Sequence, residues 1–195
     1  VRLNLGCSDR KIPGFIGVDI APPADQIVDL AGPWPWPDSS VDEVMALDVC
    51  EHIRDWYTPE GLEAWRNGAG TVEVMDGRIH FMNELHRVLK AGARATIETP
   101  NASRGCGYYQ DPTHVSPWCL STFKYFEHGA FAHGRLSKAY GITAAFRIVS
   151  LEECRTSGEF SPAQQPELAE APRGVWIPAR AETAWKIRAV LEAVK

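Results

Sequence analysis

Leu3-Asn4-Leu5-Gly6-Cys7-Ser8-Asp9, at the start of the chain, is the stretch on which the fold turns. Val1–Leu5 is a short β-like run, and Gly6 ends it in a turn of small residues. A strand running into such a turn lets a ligand approach backbone N–H groups closely, because no side chain stands in the way. Taken alone the stretch also reads as a plain strand-to-turn junction. The second and third glycines of a dinucleotide-binding GxGxxG fingerprint are absent.

Moving outward, Phe15–Ile20 is a second strand carrying Gly17-Val18-Asp19-Ile20, and the breaker Pro22-Pro23 follows it. A carboxylate at a strand tip can accept both hydroxyls of a ribose, although Asp19 also suits a turn or cap. It comes about 13 residues after Gly6, closer than the roughly 20 of a dinucleotide fold, so any helix between them is short or irregular. Gln26–Leu30 is a third strand ending in Asp29-Leu30, with Trp34-Pro35-Trp36-Pro37-Asp38 beyond it. Here an Asp beside an apolar residue can take an amino group while the neighbour covers a ring, or simply end a strand while the tryptophans plug the core. Val41–Val49 is a fourth strand, and Asp48-Val49-Cys50-Glu51-His52-Ile53 places titratable groups just past it. Glu51 equally fits the first turn of a helix.

Ile79–Lys90 has helical spacing, with Ile79, Met82, Leu85, Val88 and Leu89 on one face and Gly92 as the stop. Ala93–Thr99 is a fifth strand closed by Pro100-Asn101, and Phe146–Cys154 a sixth. Strands separated by crossovers imply a parallel sheet, whose ligands bind at the carboxyl ends of its strands. Cys7–Asp9, Asp19, Asp29, Asp48–His52 and Asn101 all lie just after strands. Arg54–Arg78 reads as an inserted helix and hairpin, and Thr156–Ala181, rich in Pro, Ala and Gln, as a long loop. Trp185–Lys195 has helical propensities, yet Ile187, Ala189, Leu191 and Ala193 alternate with Arg188, Val190, Glu192 and Val194 well enough for a strand.

A length of 195 residues suits one domain, and 45% hydrophobic with 23% charged residues is ordinary for a globular chain. No apolar run is long enough to cross a bilayer, and no basic-then-apolar signal segment opens the chain. Cys7, Cys50, Cys106, Cys119 and Cys154 are scattered, odd in number and without a CxxC pair. That argues against a disulfide framework or zinc knuckle and for a reducing, cytoplasmic setting. The net charge of −5 is uneven: residues 1–60 hold four Lys/Arg against eleven Asp/Glu. Such an acidic region suits a cationic or ribose-bearing ligand better than a phosphate-rich one. No Lys/Arg stripe suggests a strong nucleic-acid-binding surface.

Together LNLGCSDR, GFIGVDI, VDLAGPWPWPDSSVDEV, DVCEHI and NELHRVLKAGARATIETPN resemble, in order and spacing over residues 1–101, the small class I S-adenosylmethionine-dependent methyltransferases of the type-11-like kind. Gln110-Asp111-Pro112-Thr113-His114 resembles the QDPTH segment of a bacterial and phage branch of that family. Ser8 stands where the family usually has Gly, Gly17 where it often has Asn, and Ala91 where it has Pro.

The resemblance implies a Rossmann-like α/β fold: a mostly parallel seven-stranded sheet with an antiparallel last strand, which Trp185–Lys195 would supply, and helices on both faces. It implies a single methyltransferase domain over residues 1–195, with an insertion at about 54–78 and substrate-side segments at about 102–145 and 156–181. The cofactor would be S-adenosylmethionine, leaving as S-adenosylhomocysteine. Leu5, Gly6, Cys7 and Ser8 would contact its methionine part and Asp48 border that end; Asp19 and Ile20 would hold the ribose end, and Asp29 with Leu30 the adenine. His52 and His114 are the candidate bases, since histidine titrates near neutral pH, with Asp111 beside them. A metal held by Glu51, His52, Asp111 and His114, as in catechol-type methyltransferases, is the alternative use of these residues, but no ligand spacing compels one and none is assigned. The expected acceptor is a small molecule. The other readings are a cofactor-binding module without catalysis, for which Ser8 speaks, and a nicotinamide oxidoreductase, against which the missing glycines speak.

Overall fold

In the computed structural model, the structure describes residues 1–57, 67, 74–103, 107–129, 139–154, 160–162 and 186–195. Its centre is one mixed sheet built from β1 (Arg2–Leu5), β2 (Ile16–Asp19), β3 (Gln26–Ile27), β4 (Val41–Leu47), β7 (Leu89–Pro100), β8 (Phe146–Cys154), β9 (Phe160–Pro162) and β10 (Lys186–Ala193). In space the order is β3-β2-β1-β4-β7-β10-β8-β9. β1 pairs in parallel with β2 and β4, β2 with β3, and β4 with β7. β10 runs antiparallel between β7 and β8, and the three-residue β9 adds an antiparallel edge to β8. Without that edge, this is the seven-stranded, mostly parallel sheet with an antiparallel last strand that the resemblance implies.

The terminal segment shows why alternation outweighed helical propensity. In β10, Ile187, Ala189 and Leu191 are fully buried and Ala193 nearly so, while the intervening residues are only partly covered. A strand of period two inserts this row between two neighbours and pairs its backbone on both sides; a helix would leave the edges of β7 and β8 open. Arg188 and Glu192 occupy the other face and pair with Glu98 and Glu152, and with Arg94 and Arg147, respectively.

Several boundaries differ from the sequence reading. Residues 6–15 form turns rather than a helix, which explains the short distance from Gly6 to Asp19. β3 stops at Ile27 because Asp29 folds the chain into a turn, its Oδ1 accepting from Ala31 N at 3.0 Å and its carbonyl from Gly32 N at 3.1 Å. The helix, α1, spans Gly77–Val88, capped by Asp76, and does not reach Lys90. Ser39 N and Ser40 N take the carbonyls of Arg87 and Val88, and Leu89 is already paired with Val41 in the sheet. Gly92, at φ +73°, therefore lies within β7 rather than capping the helix. Phe81, Met82, Leu85 and Val88 form the fully buried face of α1, and Phe81 takes the place expected for Ile79, which is only partly covered.

α1 also clamps the tryptophan loop. Glu84 accepts from Trp34 N, and Arg87 donates to the carbonyls of Trp34 and Trp36, to Asp38 and to Glu84. Trp34 and Trp36 are core residues, packed edge to face, with Trp34 against Phe81. Two short strands, β5 (Trp56–Tyr57) and β6 (Val74–Met75), pair antiparallel ahead of α1. The helix expected in 54–78, Cys106, and the loop Thr156–Ala181 apart from β9 lie outside the described residues. A five-residue helix, α2 (Leu120–Lys124), follows the second polar segment, residues 108–118, which carries Asp111, Thr113 and His114. Among the described residues, no helix is long and apolar enough to cross a membrane.

Candidate functional site

A cleft of about 360 Å³ opens at the carboxyl ends of β1, β2, β3 and β4, within the usual size range of small-ligand sites. It gathers Gly6, Ser8, Asp19, Ile20, Asp29, Leu30, Asp48 and His52 from the residues singled out in the sequence. Four separate strand ends bring them together, as expected at the rim of a parallel sheet. Arg10, Val28, Ala31, Val49, Ile53 and Arg54 complete the lining and were not anticipated. Leu5 and Cys7 are not part of the lining: both are buried beneath it, and Cys7 N bonds Val18 O at 3.1 Å. Burial, reinforced by the charge of Asp19, pushes the Cys7 thiol up, so it stays protonated.

The first turn is built on backbone geometry. Gly6 has φ +64°, and a Cβ there would stand 2.5 Å from the Val49 side chain. Ser8 also has a positive φ, 47°, a backbone conformation that glycine adopts without steric cost. Asp19 holds the turn, accepting from Ser8 N at 2.9 Å and from Ile20 N at 2.7 Å. Each bond uses one lone pair of a carboxylate oxygen, and an ionised carboxylate offers about four acceptor sites. Ile20 is 66% exposed beside it. Leu30, by contrast, is buried in the core cluster, so Ile20 is the better placed apolar surface to cover a ring. Asp29 pairs with Arg54 at 2.6 Å.

Asp48 adopts φ +55° at the end of β4. Its Oδ2 is paired with Lys186 at 2.5 Å, and its Oδ1 is buried with no hydrogen-bond partner. An orphaned carboxylate oxygen at a cleft wall fits a cationic or N–H-bearing ligand, since an unmade hydrogen bond in such a place is costly. With the two further carboxylates and the open first turn, the lining fits S-adenosylmethionine, whose ammonium, ribose hydroxyls and sulfonium charge all call for acceptors, while the N–H groups of the turn suit its carboxylate.

The second polar segment meets this cleft through the 3-10 turn Cys50–His52. Val115 N and Ser116 N both bond Glu51 O at 2.9 Å, Ser116 Oγ bonds Ile53 O, and Trp118 Nε1 bonds Cys50 O at 3.2 Å. These bonds carry His114 against His52, with ring centroids 4.8 Å apart, edge to face. His114 Nδ1 lies 2.7 Å from Tyr108 O; a carbonyl only accepts, so Nδ1 carries the proton and Nε2 the lone pair. Thr113 Oγ1 donates to Asp111 Oδ1 at 2.6 Å, so its contact with His52 Nδ1 at 3.1 Å, like that from Thr113 O at 3.3 Å, is accepted from the ring. In the neutral form, both imidazoles thus carry the proton on Nδ1 and the lone pair on Nε2. Asp111 is a positioning residue here: the hydroxyl and N–H of Thr113 hold its carboxyl below the usual range, and it orients Thr113.

Glu51, read from the sequence as a helix first-turn residue or a metal ligand, is the buried member of this group. It is buried to 1% exposure behind the histidines. Oε2 accepts from Thr99 Oγ1 at 3.0 Å, while Oε1 accepts no bond. Burial pushes its carboxyl up, its own N–H and the Thr99 hydroxyl working against that and the charge of Asp48 adding to it. Thr99 on β7 and Lys186 on β10 were missed, and nothing local in the sequence marks them; Thr113 lies in the Gln110–His114 segment but was given no role there. A second, more apolar groove between α1 and α2 is lined by Ile79, Thr122, Tyr125, Phe126 and Ile142, but its charged residues, Asp76 and Arg78, are paired with each other.

No protein-family profile matches the chain, and no curated protein matches it. Solved structures do. The YcgJ protein of Bacillus subtilis matches with a TM-score of 0.52 at 13% identity, over 100% of this chain and 92% of that one. A candidate methyltransferase of Bacillus halodurans C-125 matches with a TM-score of 0.51 at 12% identity, over 100% and 92%. The [4+2]-cyclase SpnF matches with a TM-score of 0.50 at 14% identity, over 99% and 75%. At these identities the likeness shows the fold, and the cyclase shows that the fold does not dictate the reaction.

Proposed function

We propose that this chain is an S-adenosylmethionine-dependent methyltransferase acting on a small-molecule acceptor. The observation that carries the reading is the carboxylate set Asp19, Asp29 and Asp48 around the open Gly6–Ser8 turn, at the carboxyl edge of this sheet. When bound, S-adenosylmethionine supplies an activated methyl group and its own leaving group, so the protein's part is alignment and exclusion of water. Gly6 and Ser8 would receive the methionine part, Asp48 its ammonium, Asp19 the ribose hydroxyls and Asp29 the adenine amino group, with Ile20 against the ring. An acceptor that must lose a proton would find His52 or His114, each offering Nε2. Thr113, held by Asp111, and the Tyr108 carbonyl keep those rings in place.

The reading treats residues 1–195 as one domain, with 102–145 and 156–181 as substrate-side segments and 54–78 as an insertion. A cytoplasmic setting goes with it, supported by the free thiols of Cys7, Cys50 and Cys119. The branch with the QDPTH segment rests on Gln110–His114 alone. Calorimetric titration with S-adenosylmethionine, S-adenosylhomocysteine and NAD tests the cofactor: binding of NAD alone, or of none, overturns the reading. A screen of metabolites with methyl-labelled cofactor then tests transfer. Tight binding with no transfer to any acceptor would favour the module without catalysis, for which the strained Ser8 is the specific observation.

A further inference from the structure

Glu51, His52 and His114 form the one group of three or more ligand-type side chains among the described residues that could close on an ion, with one donor atom from each lying within 4.8 Å of the others. We infer that they hold a borderline divalent transition-metal ion, of the Zn²⁺ or Fe²⁺ class, beside the cleft. Three independent features of the structure lead there. Both rings have Nδ1 committed to acceptors, Tyr108 O and Thr113, which leaves Nε2 as the lone-pair donor on each. A second, hydrogen-bonded nitrogen is the usual support of a metal-binding imidazole. Oε1 of Glu51 is buried and accepts no hydrogen bond, although Oε2 of the same group is satisfied. Finally, the Glu51 backbone is tied to the 114–116 segment through Val115 and Ser116, so the three donors belong to one rigid corner.

Two imidazoles and one carboxylate are the donor set of many zinc and non-haem iron sites, and they favour such ions over Mg²⁺ or Ca²⁺. Around an ion with bonds near 2.1 Å, ligands stand about 3.0–3.4 Å apart, so donors that stand as far as 4.8 Å from one another must close by about 1.4–1.8 Å. Asp111 Oδ2, 3.8 Å from His114 Nε2, stands at the outer side of the group. Three protein ligands leave positions open for water or an oxygen-bearing acceptor, and because the ion takes both Nε2 lone pairs it would replace the histidines, not assist them, in activating that acceptor. The site does not depend on the methyl-donor reading, because none of its donors is needed to hold the nucleoside.

The test is a titration of the full, tag-free, metal-stripped chain with Co²⁺, followed by visible absorption, with Zn²⁺ added in competition. One equivalent is expected to give ligand-field bands without thiolate charge transfer, and Mg²⁺ in large excess should not displace it. His52→Ala, His114→Ala and Glu51→Gln should each weaken binding at least tenfold; circular dichroism confirms folding, and the two histidine variants suffice if Glu51→Gln fails to fold. Unchanged affinity in the His52→Ala/His114→Ala double variant, bands of cysteine ligation, or no saturable binding would overturn the inference. Binding of S-adenosylhomocysteine to the same metal-free wild-type chain decides the donor reading separately.

Discussion

His52 and His114 lie edge to face with their ring centroids 4.8 Å apart, although one follows β4 and the other lies beyond β7. Each ring gives its Nδ1–H to a backbone or side-chain oxygen of the same short segment, residues 108–113. Free imidazole has no such constraint. Long-range ¹H–¹⁵N correlation spectra above neutral pH should therefore show both residues with the proton on Nδ1. Thr113→Val should weaken the His52 preference, since only the longer bond to the Thr113 carbonyl at 3.3 Å remains, while leaving His114 unchanged. Protonation on Nε2 in the wild type would contradict the hydrogen-bond assignment.

Asp19 stabilises the first turn and offers its remaining lone pairs to the cleft. Asp19→Ala should weaken S-adenosylhomocysteine binding by roughly 1.5–3 kcal/mol, the range for charge-assisted hydrogen bonds. Calorimetry on a variant with an unchanged circular dichroism spectrum checks this. Equal affinity would remove Asp19 from the ribose site.

Gly6 combines a positive φ with the close approach of Val49. Gly6→Ala should cost about 1–2 kcal/mol for the left-handed backbone and about 1–3 kcal/mol for overpacking against Val49. Urea denaturation should show the loss as a lower midpoint with an unchanged slope. A neutral substitution would mean that the turn adopts another conformation.

Glu84 carries a pH dependence. Burial pushes its carboxyl up, but the bonds from Arg87 and Trp34 N and the guanidinium charge outweigh this and hold it below the usual range. A carboxyl depressed in the folded state contributes stability above its unfolded value, near 4.3, and that contribution fades as pH falls through the folded value. Stability should thus decline on acidification below about pH 4, and Glu84→Gln should flatten that part of the profile. Glu84→Ala, which leaves Trp34 N and Arg87 without their acceptor, should cost about 1.5–3 kcal/mol at neutral pH. Urea titrations across pH measure both.

Much of the fold was legible because it is encoded locally. Apolar runs marked β1, β2, β4 and β8, period-two alternation marked β10, and the residues after strand ends marked Gly6, Asp19, Asp29 and Asp48. A parallel sheet sends such residues to one edge whatever the details of its loops. The boundaries were less legible, since Leu89 left the helix only because Val41 was there to pair with it. Leu5 and Cys7 lie in the right stretch, yet the sheet turns them into the core, which spacing along one strand does not reveal.

The sequence by itself determined the strand-and-crossover order, the acidic cleft edge and the two histidines worth watching, because period, turn chemistry and charge act within a few residues. Only the tertiary structure decided that Glu51 stands buried behind His52 and His114 with one oxygen unpaired, that Thr113 orients His52, and that Lys186 reaches Asp48. Those relationships come from backbone bonds between distant segments, such as Val115 and Ser116 to Glu51, and a contact closed by folding leaves no mark in the local pattern of either partner.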